Sequence, residues 1–134
     1  MNVLFICKFN RFRSKIAEAL FNKLNVDCKN KAKSAGIVKG NPVSRDVAKI
    51  AKNLGLKISI KPRKLTANLL KWSDLIVIVA NNVSEKPFKN GLKKGKKIIV
   101  WKIKDCEENN RKEICKIIGQ IKARVSGLKK FCSG

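Results

Sequence analysis

Four short stretches of the chain are rich in apolar residues and have the length of β-strands. Residues 2–6 (NVLFI), 74–79 (DLIVIV) and 97–101 (KIIVW) are almost continuously apolar, and 31–35 is a weaker candidate. Runs of this kind, rich in β-branched residues, are typical of parallel strands that helices cover on both faces. The pattern therefore predicts a buried parallel sheet.

Segments with helical periodicity separate these strands. Apolar residues recur at helical spacing over about 14–25, 44–55, 66–72 and 109–130. Strands that alternate with helices imply right-handed crossovers and a three-layer α/β sandwich. No stretch has the composition of a linker, so we expect one domain over residues 1–134.

The carboxyl edge of such a sheet is where ligands bind in open parallel folds. Cys7 follows the first apolar run, Asn81 and Asn82 follow the run at 74–79, and residues 103–107 follow the last one. We therefore expect any chemistry to lie among these segments.

The loop between the first strand and the first helix, C7-K-F-N-R-F-R-S14, has the features of an oxyanion site. A loop of this length can curl so that its backbone N–H groups and the helix N-terminus hold an anion. Arg13 can donate two parallel hydrogen bonds to phosphate oxygens. The same donors stabilise a thiolate at Cys7, which is placed to attack a bound phosphorus. Ser14 can donate to the sulfur, and Asn10 can brace the loop.

These features make the loop the predicted site. Cys7 and Arg13 are the expected catalytic residues. The residues expected to bind substrate are Lys8, Phe9, Asn10, Arg11, Phe12, Arg13 and Ser14. The alternative is that Cys7 is an inert packing residue, as a buried cysteine at a strand end often is. The position between an apolar strand and a helix favours the functional interpretation.

A phosphoryl transfer to sulfur leaves an alkoxide or phenoxide that needs a proton. The chain has no His, so a carboxylic acid is the natural donor. Asp105 lies just beyond the last strand at the expected edge, and Glu107 and Glu108 lie farther from the strand end. The alternative role for Asp105 is a solvated loop residue that pairs with a nearby Lys.

The opening of the chain, MNVLFICKFNRFRSKIAEALFNKL, resembles that of the low-molecular-weight protein tyrosine phosphatases and of arsenate reductases of the same fold. The shared pattern is an apolar strand, C-x-x-N-x-x-R-S and a helix with A-E-A. The SAG at 34–36 and the GNPV at 40–43 resemble later segments of the family. The resemblance implies a four-stranded parallel sheet with helices on both faces. It also implies that Asp105 is the general acid, and then the base for the water that hydrolyses a phosphocysteine.

Several positions differ from the residues that are usual in this family. Phe9 replaces a frequent Gly, Phe12 replaces a second Cys, and Cys106 replaces the Pro after the acid. The aromatic wall that receives phosphotyrosine is poorly represented, because Phe9, Phe12 and Trp101 are better suited to packing. Lys8 and Arg11 favour anionic substrates. Phosphatase chemistry is therefore better supported than a preference for phosphotyrosine.

Composition adds a strong positive charge to this picture. The 134 residues include 32 Lys and Arg against nine Asp and Glu, which gives a formal net charge of +23. Such a field attracts a phosphorylated substrate, a nucleic acid or an anionic membrane. Solvated lysine faces explain it equally well. No nucleic-acid motif is present, and no apolar run approaches the roughly 20 residues of a membrane span, so we expect neither partner.

The cysteines indicate a reducing environment. They are Cys7, Cys28, Cys106, Cys115 and Cys132. Their number is odd, and their spacing does not match a metal site. With no evident signal peptide, this predicts a cytoplasmic protein that needs neither metal nor cofactor.

Three functions remain after these observations. The favoured one is a cysteine-dependent phosphomonoesterase, similar to a protein tyrosine phosphatase, that acts on a phosphorylated protein or a small phosphomonoester. The second is an arsenate reductase of the same fold. Such reductases carry further cysteines after the third strand, where ANNVSEKPFKNG has none, so Cys106 would have to serve. The third is a non-catalytic module that binds anions or nucleic acid.

Overall fold

The computed structural model describes residues 1–25, 29–89 and 96–133, with side chains up to residue 128. The elements in chain order are β1 (Asn2–Cys7), α1 (Arg13–Leu24), β2 (Lys31–Gly36), α2 (Arg45–Asn53), α3 (Ala67–Trp72), β3 (Leu75–Val79), α4 (Lys86–Lys89), β4 (Lys97–Trp101) and α5 (Arg111–Ser133). All four predicted strands are confirmed. Of the helices, α4 was not predicted, because four residues are too few to show helical periodicity.

The strands form one parallel sheet in the order β2-β1-β3-β4. β1 therefore lies inside the sheet between β2 and β3, and its residues 3–7 are buried. This burial explains the continuous apolar run, because both faces of the strand are covered.

Two apolar clusters cover the two faces of the sheet. On one face, Phe5 and Val77 belong to the cluster that includes Ile16 of α1 and Ile121 of α5. On the other face, Leu4, Ile6 and Ile76 pack in a cluster with residues of α3 and α4, among them Leu69 and Phe88. The predicted three-layer α/β sandwich with helices on both faces is confirmed.

Local signals in the sequence account for the ends of several helices. The Ser44 side chain caps α2 by accepting a hydrogen bond from the Val47 N–H at 3.2 Å. The Thr66 side chain caps α3 in the same way. Gly55, with a φ of 71°, follows the end of α2 in the left-handed conformation that glycine adopts most readily. Among the described helices, none is long and apolar enough to cross a membrane.

Candidate active site

The segment of residues 8–12, here called the phosphate loop, joins β1 to α1 at the carboxyl edge of the sheet. Cys7 is the last residue of β1 and is 2% exposed. No side chain caps the first turn of α1, so its N–H groups remain available to an anion. The carbonyls of Cys7 and Lys8 accept hydrogen bonds from the N–H groups of Ile37 and Val38, at 3.1 and 2.9 Å. These bonds fix the start of the loop against the chain that follows β2.

The glycine of the SAG segment is required by the loop. A side chain on Gly36 would place its Cβ 2.7 Å from both the backbone nitrogen of Asn10 and the carbonyl carbon of Phe9. Gly40 packs against the same loop, because a Cβ atom added at this position would lie 2.7 Å from the carbonyl oxygen of Phe9. Real Cβ atoms do not approach backbone atoms so closely. These two glycines therefore allow the chain after β2 to lie directly against the phosphate loop.

Asn10 braces the loop from behind, through Ser14, Ser34 and the N–H of Arg63 rather than through backbone groups inside the curve of the loop. It is fully buried and has a φ of 53°, which is the left-handed conformation. Its Oδ1 accepts a hydrogen bond from the backbone N–H of Arg63 at 2.8 Å, and this contact fixes the orientation of the amide. Its Nδ2 therefore donates to the hydroxyl oxygens of Ser14 and Ser34, at 2.8 and 3.0 Å.

This arrangement determines where the hydroxyl hydrogens point. Ser34 donates its hydrogen to Glu18 at 2.5 Å. The oxygen of Ser14 lies 2.9 Å from the sulfur of Cys7. Because Ser14 accepts from Asn10, its own hydrogen is available to the sulfur. Sequence reasoning predicted the Ser14 contact but missed Ser34 and Glu18, although both lie in the SAG and A-E-A motifs.

Arg13 is buried, with 2% of its side chain exposed, and its guanidinium is held by the loops that follow β3 and β4. It donates to the Ile103 carbonyl at 2.9 Å and to the Asn82 side-chain oxygen at 3.2 Å. Asp105 lies 3.7 Å from the guanidinium. Arg13 and Cys7 line the same cavity. Sequence reasoning placed Asn82 at this edge of the sheet but did not predict its contact with Arg13.

Asp105 lies at the mouth of that cavity and is about half exposed. One of its carboxylate oxygens accepts the backbone N–H of Cys106 at 2.9 Å, and the other faces Arg13. Glu107 does not line the cavity. Glu108 does, but it forms an ion pair with Arg11 at 2.8 Å. Among the three acids near the edge, Asp105 is therefore the carboxylate that faces the buried arginine.

The remaining loop residues divide among three surroundings. Phe9 and Phe12 line the cavity with Cys7. Arg11 also lines it, but its guanidinium donates to the carbonyls of Asn41 and Pro42 as well as to Glu108. Lys8 lines a separate cleft, and its ammonium lies 5.5 Å from the centre of the Phe9 ring. The buried side chain of Asn10 faces Ser14 and Ser34, so only the backbone of this residue is left to contact a substrate.

Trp101 is a core residue, as its apolar surroundings in the sequence predicted. It is 5% exposed, and its ring packs at 5.8 Å from that of Phe5. It therefore contributes nothing to the wall of the cavity.

Two cysteines line the cavity. Cys106 is half-buried and lines it together with Cys7. Burial raises the pKa of the Cys106 thiol, and the nearby Asp105 carboxylate raises it further. Cys115 is exposed on α5, and Cys28 and the side chain of Cys132 lie outside the described residues. Within the described part of the chain, no group of His, Cys, Asp and Glu side chains has the arrangement of a metal site.

Comparison with known proteins places this geometry in a family. Residues 2–129 match the family of low molecular weight phosphotyrosine protein phosphatases. The chain belongs to this family. Its members are hydrolases of phosphate esters, and proteins of the same fold include arsenate reductases. The comparison with curated protein sequences found no significant match.

Solved structures of the same fold include both kinds of enzyme. An arsenate reductase from Archaeoglobus fulgidus is 30% identical and has a TM-score of 0.76, with coverage of 96% of this chain and 98% of that one. The low molecular weight protein tyrosine phosphatase from T. tengcongensis is 23% identical, with a TM-score of 0.82 and coverage of 97% and 98%. An arginine phosphatase from Drosophila is 22% identical, with a TM-score of 0.83 and coverage of 100% and 99%. The similarity to the last two structures, at 23% and 22% identity, shows only that the fold is shared.

Proposed function

We propose that the protein is a cysteine-dependent phosphomonoesterase that works through a phosphocysteine intermediate. The observation that carries the proposal is the contact between the Ser14 hydroxyl and the Cys7 sulfur, on the floor of a cavity that also holds Arg13 and Asp105. Family membership supports the same chemistry.

The first step is an attack of the Cys7 thiolate on phosphorus. A bond forms between sulfur and phosphorus, and the bond between phosphorus and the ester oxygen breaks. The loop N–H groups, the start of α1 and Arg13 hold the three non-bridging oxygens of the phosphate. Because Arg13 is already fixed by Ile103 and Asn82, little side-chain reorganisation is needed when the phosphate binds.

Asp105 completes both steps. In its protonated form it gives a proton to the departing ester oxygen. As a carboxylate it then takes a proton from the water that attacks the phosphocysteine, which releases inorganic phosphate and restores the Cys7 thiolate. Its half-exposed position at the mouth of the cavity suits a group that contacts both the leaving oxygen and incoming water.

The substrate is a phosphorylated protein or a small phosphomonoester. Solved structures of this fold include enzymes named for phosphotyrosine and for phosphoarginine, so both classes belong in the substrate panel. The cavity of this chain offers the rings of Phe9 and Phe12, and the charge of Arg11 is partly neutralised by Glu108. The enzyme works in a reducing compartment, such as the cytoplasm, because the mechanism needs Cys7 as a free thiol.

The test is steady-state hydrolysis of p-nitrophenyl phosphate in the presence of EDTA and a thiol reductant. The wild type is compared with Cys7→Ser, and Cys115→Ser serves as the matched control because Cys115 is exposed on α5 and does not line the cavity. We expect turnover by the wild type and by the control, and none by Cys7→Ser. A folded, reduced wild type without turnover would contradict the proposal.

Arsenate reduction is the second candidate, and one observation favours it. Cys106 lines the same cavity as Cys7, so that cavity contains a second thiol besides the proposed nucleophile. A reductase would consume a thiol reductant in an arsenate-dependent way, and Cys106→Ser would abolish this consumption. Phosphatase turnover that survives in Cys106→Ser, together with no arsenate-dependent thiol consumption by the wild type, excludes this candidate.

A further inference from the structure

A second concave surface borders the phosphate loop at Lys8. This flanking cleft has a volume of about 400 Å³, which is within the usual range for ligand sites. Its walls are mostly apolar, and the apolar residues that line it include Ile37, Val38, Leu65, Leu70 and Phe88. The proposed phosphatase chemistry uses none of these side chains.

The cleft is continuous with the proposed active site through two residues. Lys8 belongs to the phosphate loop and lines the cleft. Asn82 also lines the cleft, and its side-chain oxygen accepts the hydrogen bond from Arg13. Lys8 and Asn82 therefore connect the cleft to the phosphate loop and to Arg13.

The apolar wall next to the loop is exposed and fixed in place. Ile37 is 36% exposed and Val38 is 45% exposed. Their backbone N–H groups donate to the carbonyls of Cys7 and Lys8. The wall is thus joined to the phosphate loop by main-chain hydrogen bonds.

Charge narrows the class of ligand. Among the described residues, the lining of the cleft contains Lys8 and no acidic residue, and the whole chain has a net charge of +23. An acidic chain that presents one apolar side chain complements this surface. A small phosphomonoester would fill the catalytic cavity and leave the cleft empty.

From these observations we infer that the flanking cleft binds an apolar side chain close in sequence to the phosphorylated residue of a protein substrate. The inference rests on the proposed phosphatase function and adds a substrate preference to it. A leucine or phenylalanine side chain seated between Val38 and Val83 leaves water on binding, which favours acidic phosphopeptides that carry such a residue.

The test compares acidic phosphotyrosine peptides that carry a single leucine, scanned through the positions on each side of the phosphotyrosine, with the all-alanine peptide. The readout is the ratio of kcat/KM for the best leucine peptide to that for the alanine peptide. Burial of a leucine side chain predicts a ratio of about tenfold in the wild type. Peptide affinity is measured in parallel by fluorescence anisotropy with the Cys7→Ser protein, which binds without turnover.

Substitutions in the cleft should lower this ratio specifically. Val38→Asn and Val83→Asn place a polar group in the apolar wall, and we expect the ratio to fall to about threefold or less. Ile60→Asn is the matched control, because Ile60 is 58% exposed and lies outside the cleft. It should leave the ratio at its wild-type value.

The outcomes separate this inference from the proposed function. If p-nitrophenyl phosphate is hydrolysed but kcat/KM is equal for the leucine and alanine peptides, the inference about the cleft is wrong. The proposed phosphatase function is then unaffected. The same holds if no phosphotyrosine peptide is cleaved, or if Val38→Asn and Ile60→Asn lower the ratio equally. A change of oligomeric state in Val38→Asn would instead identify the cleft as a contact between copies of the chain. No hydrolysis of p-nitrophenyl phosphate would reject both.

Discussion

Replacement of Asn10 should damage both the stability of the fold and the activity of the site, because this side chain holds the back of the phosphate loop. Asn10→Ala removes three hydrogen bonds, to Ser14, Ser34 and the Arg63 N–H. At about 1 kcal/mol for each bond, the loss is about 3 kcal/mol. The left-handed backbone adds roughly 1 kcal/mol for an alanine. We therefore expect the free energy of unfolding to fall by about 4 kcal/mol.

Two further substitutions at this position separate the causes. Asn10→Gly removes the same hydrogen bonds but tolerates the positive φ, so its loss should be about 1 kcal/mol smaller than that of the alanine variant. Asn10→Asp still accepts from Arg63 but no longer donates to the two serines. The Ser14 hydrogen then has a carboxylate as a competing acceptor, so the Cys7 sulfur loses its donor. This variant should lose activity out of proportion to its stability.

The assay is urea unfolding, followed by kcat/KM on p-nitrophenyl phosphate at a temperature where every variant is folded. For a chain of this size, 1 kcal/mol corresponds to roughly 4 °C in Tm, so Asn10→Ala should melt about 15 °C below the wild type. A loss under about 1 kcal/mol with unchanged kcat/KM would refute the account of the brace.

Three further predictions concern single side chains. Asp105→Asn should lower kcat/KM for alkyl phosphates by about a hundredfold or more and kcat/KM for p-nitrophenyl phosphate much less, while Glu107→Gln, outside the cavity, has little effect; equal effects on kcat/KM for both substrates would reject Asp105 as the acid. Arg13→Lys should lower kcat/KM by about a hundredfold and raise the inhibition constant of inorganic phosphate, because lysine lacks the planar fork that Ile103 and Asn82 hold; unchanged inhibition would contradict this. Burial lowers the pKa of Lys15 below its usual value of 10.5, so the folded state binds this proton less tightly than the unfolded state does. The wild type should therefore gain stability relative to Lys15→Met as the pH rises from the lowered pKa toward 10.5, in urea unfolding at a series of pH values; parallel profiles would disprove it.

Much of the fold follows from local patterns in the chain. The strands were predictable because β1 and β3 are covered on both faces, which leaves almost no polar residue in their sequence. Caps at Ser44 and Thr66 marked two helix starts. The four residues of α4 gave no such signal, because a single turn is too short for the apolar pattern to repeat.

The site was predictable only in part, for a physical reason. The spacing of Cys7, Asn10 and Ser14 within one loop indicated which residues meet. It did not show which way the side chains of Lys8 and Arg11 turn, since these directions depend on segments distant in the chain. Arg11 faces Glu108, and Lys8 lines the flanking cleft. The hydrogen-bond partners of Arg13 could not be predicted either, because they come from loops that follow other strands.

The phosphocysteine mechanism can be tested directly by trapping the covalent intermediate on Cys7. Asp105→Asn removes the base for the second step, so a substrate with a good leaving group should phosphorylate Cys7 faster than water releases it. The protein is mixed with p-nitrophenyl phosphate, quenched within the first turnovers and analysed by intact mass and peptide mapping. The account predicts one added phosphoryl group, located on Cys7 and absent from Cys7→Ser. Turnover without a phosphorylated protein, or a phosphoryl group on another residue, would contradict it.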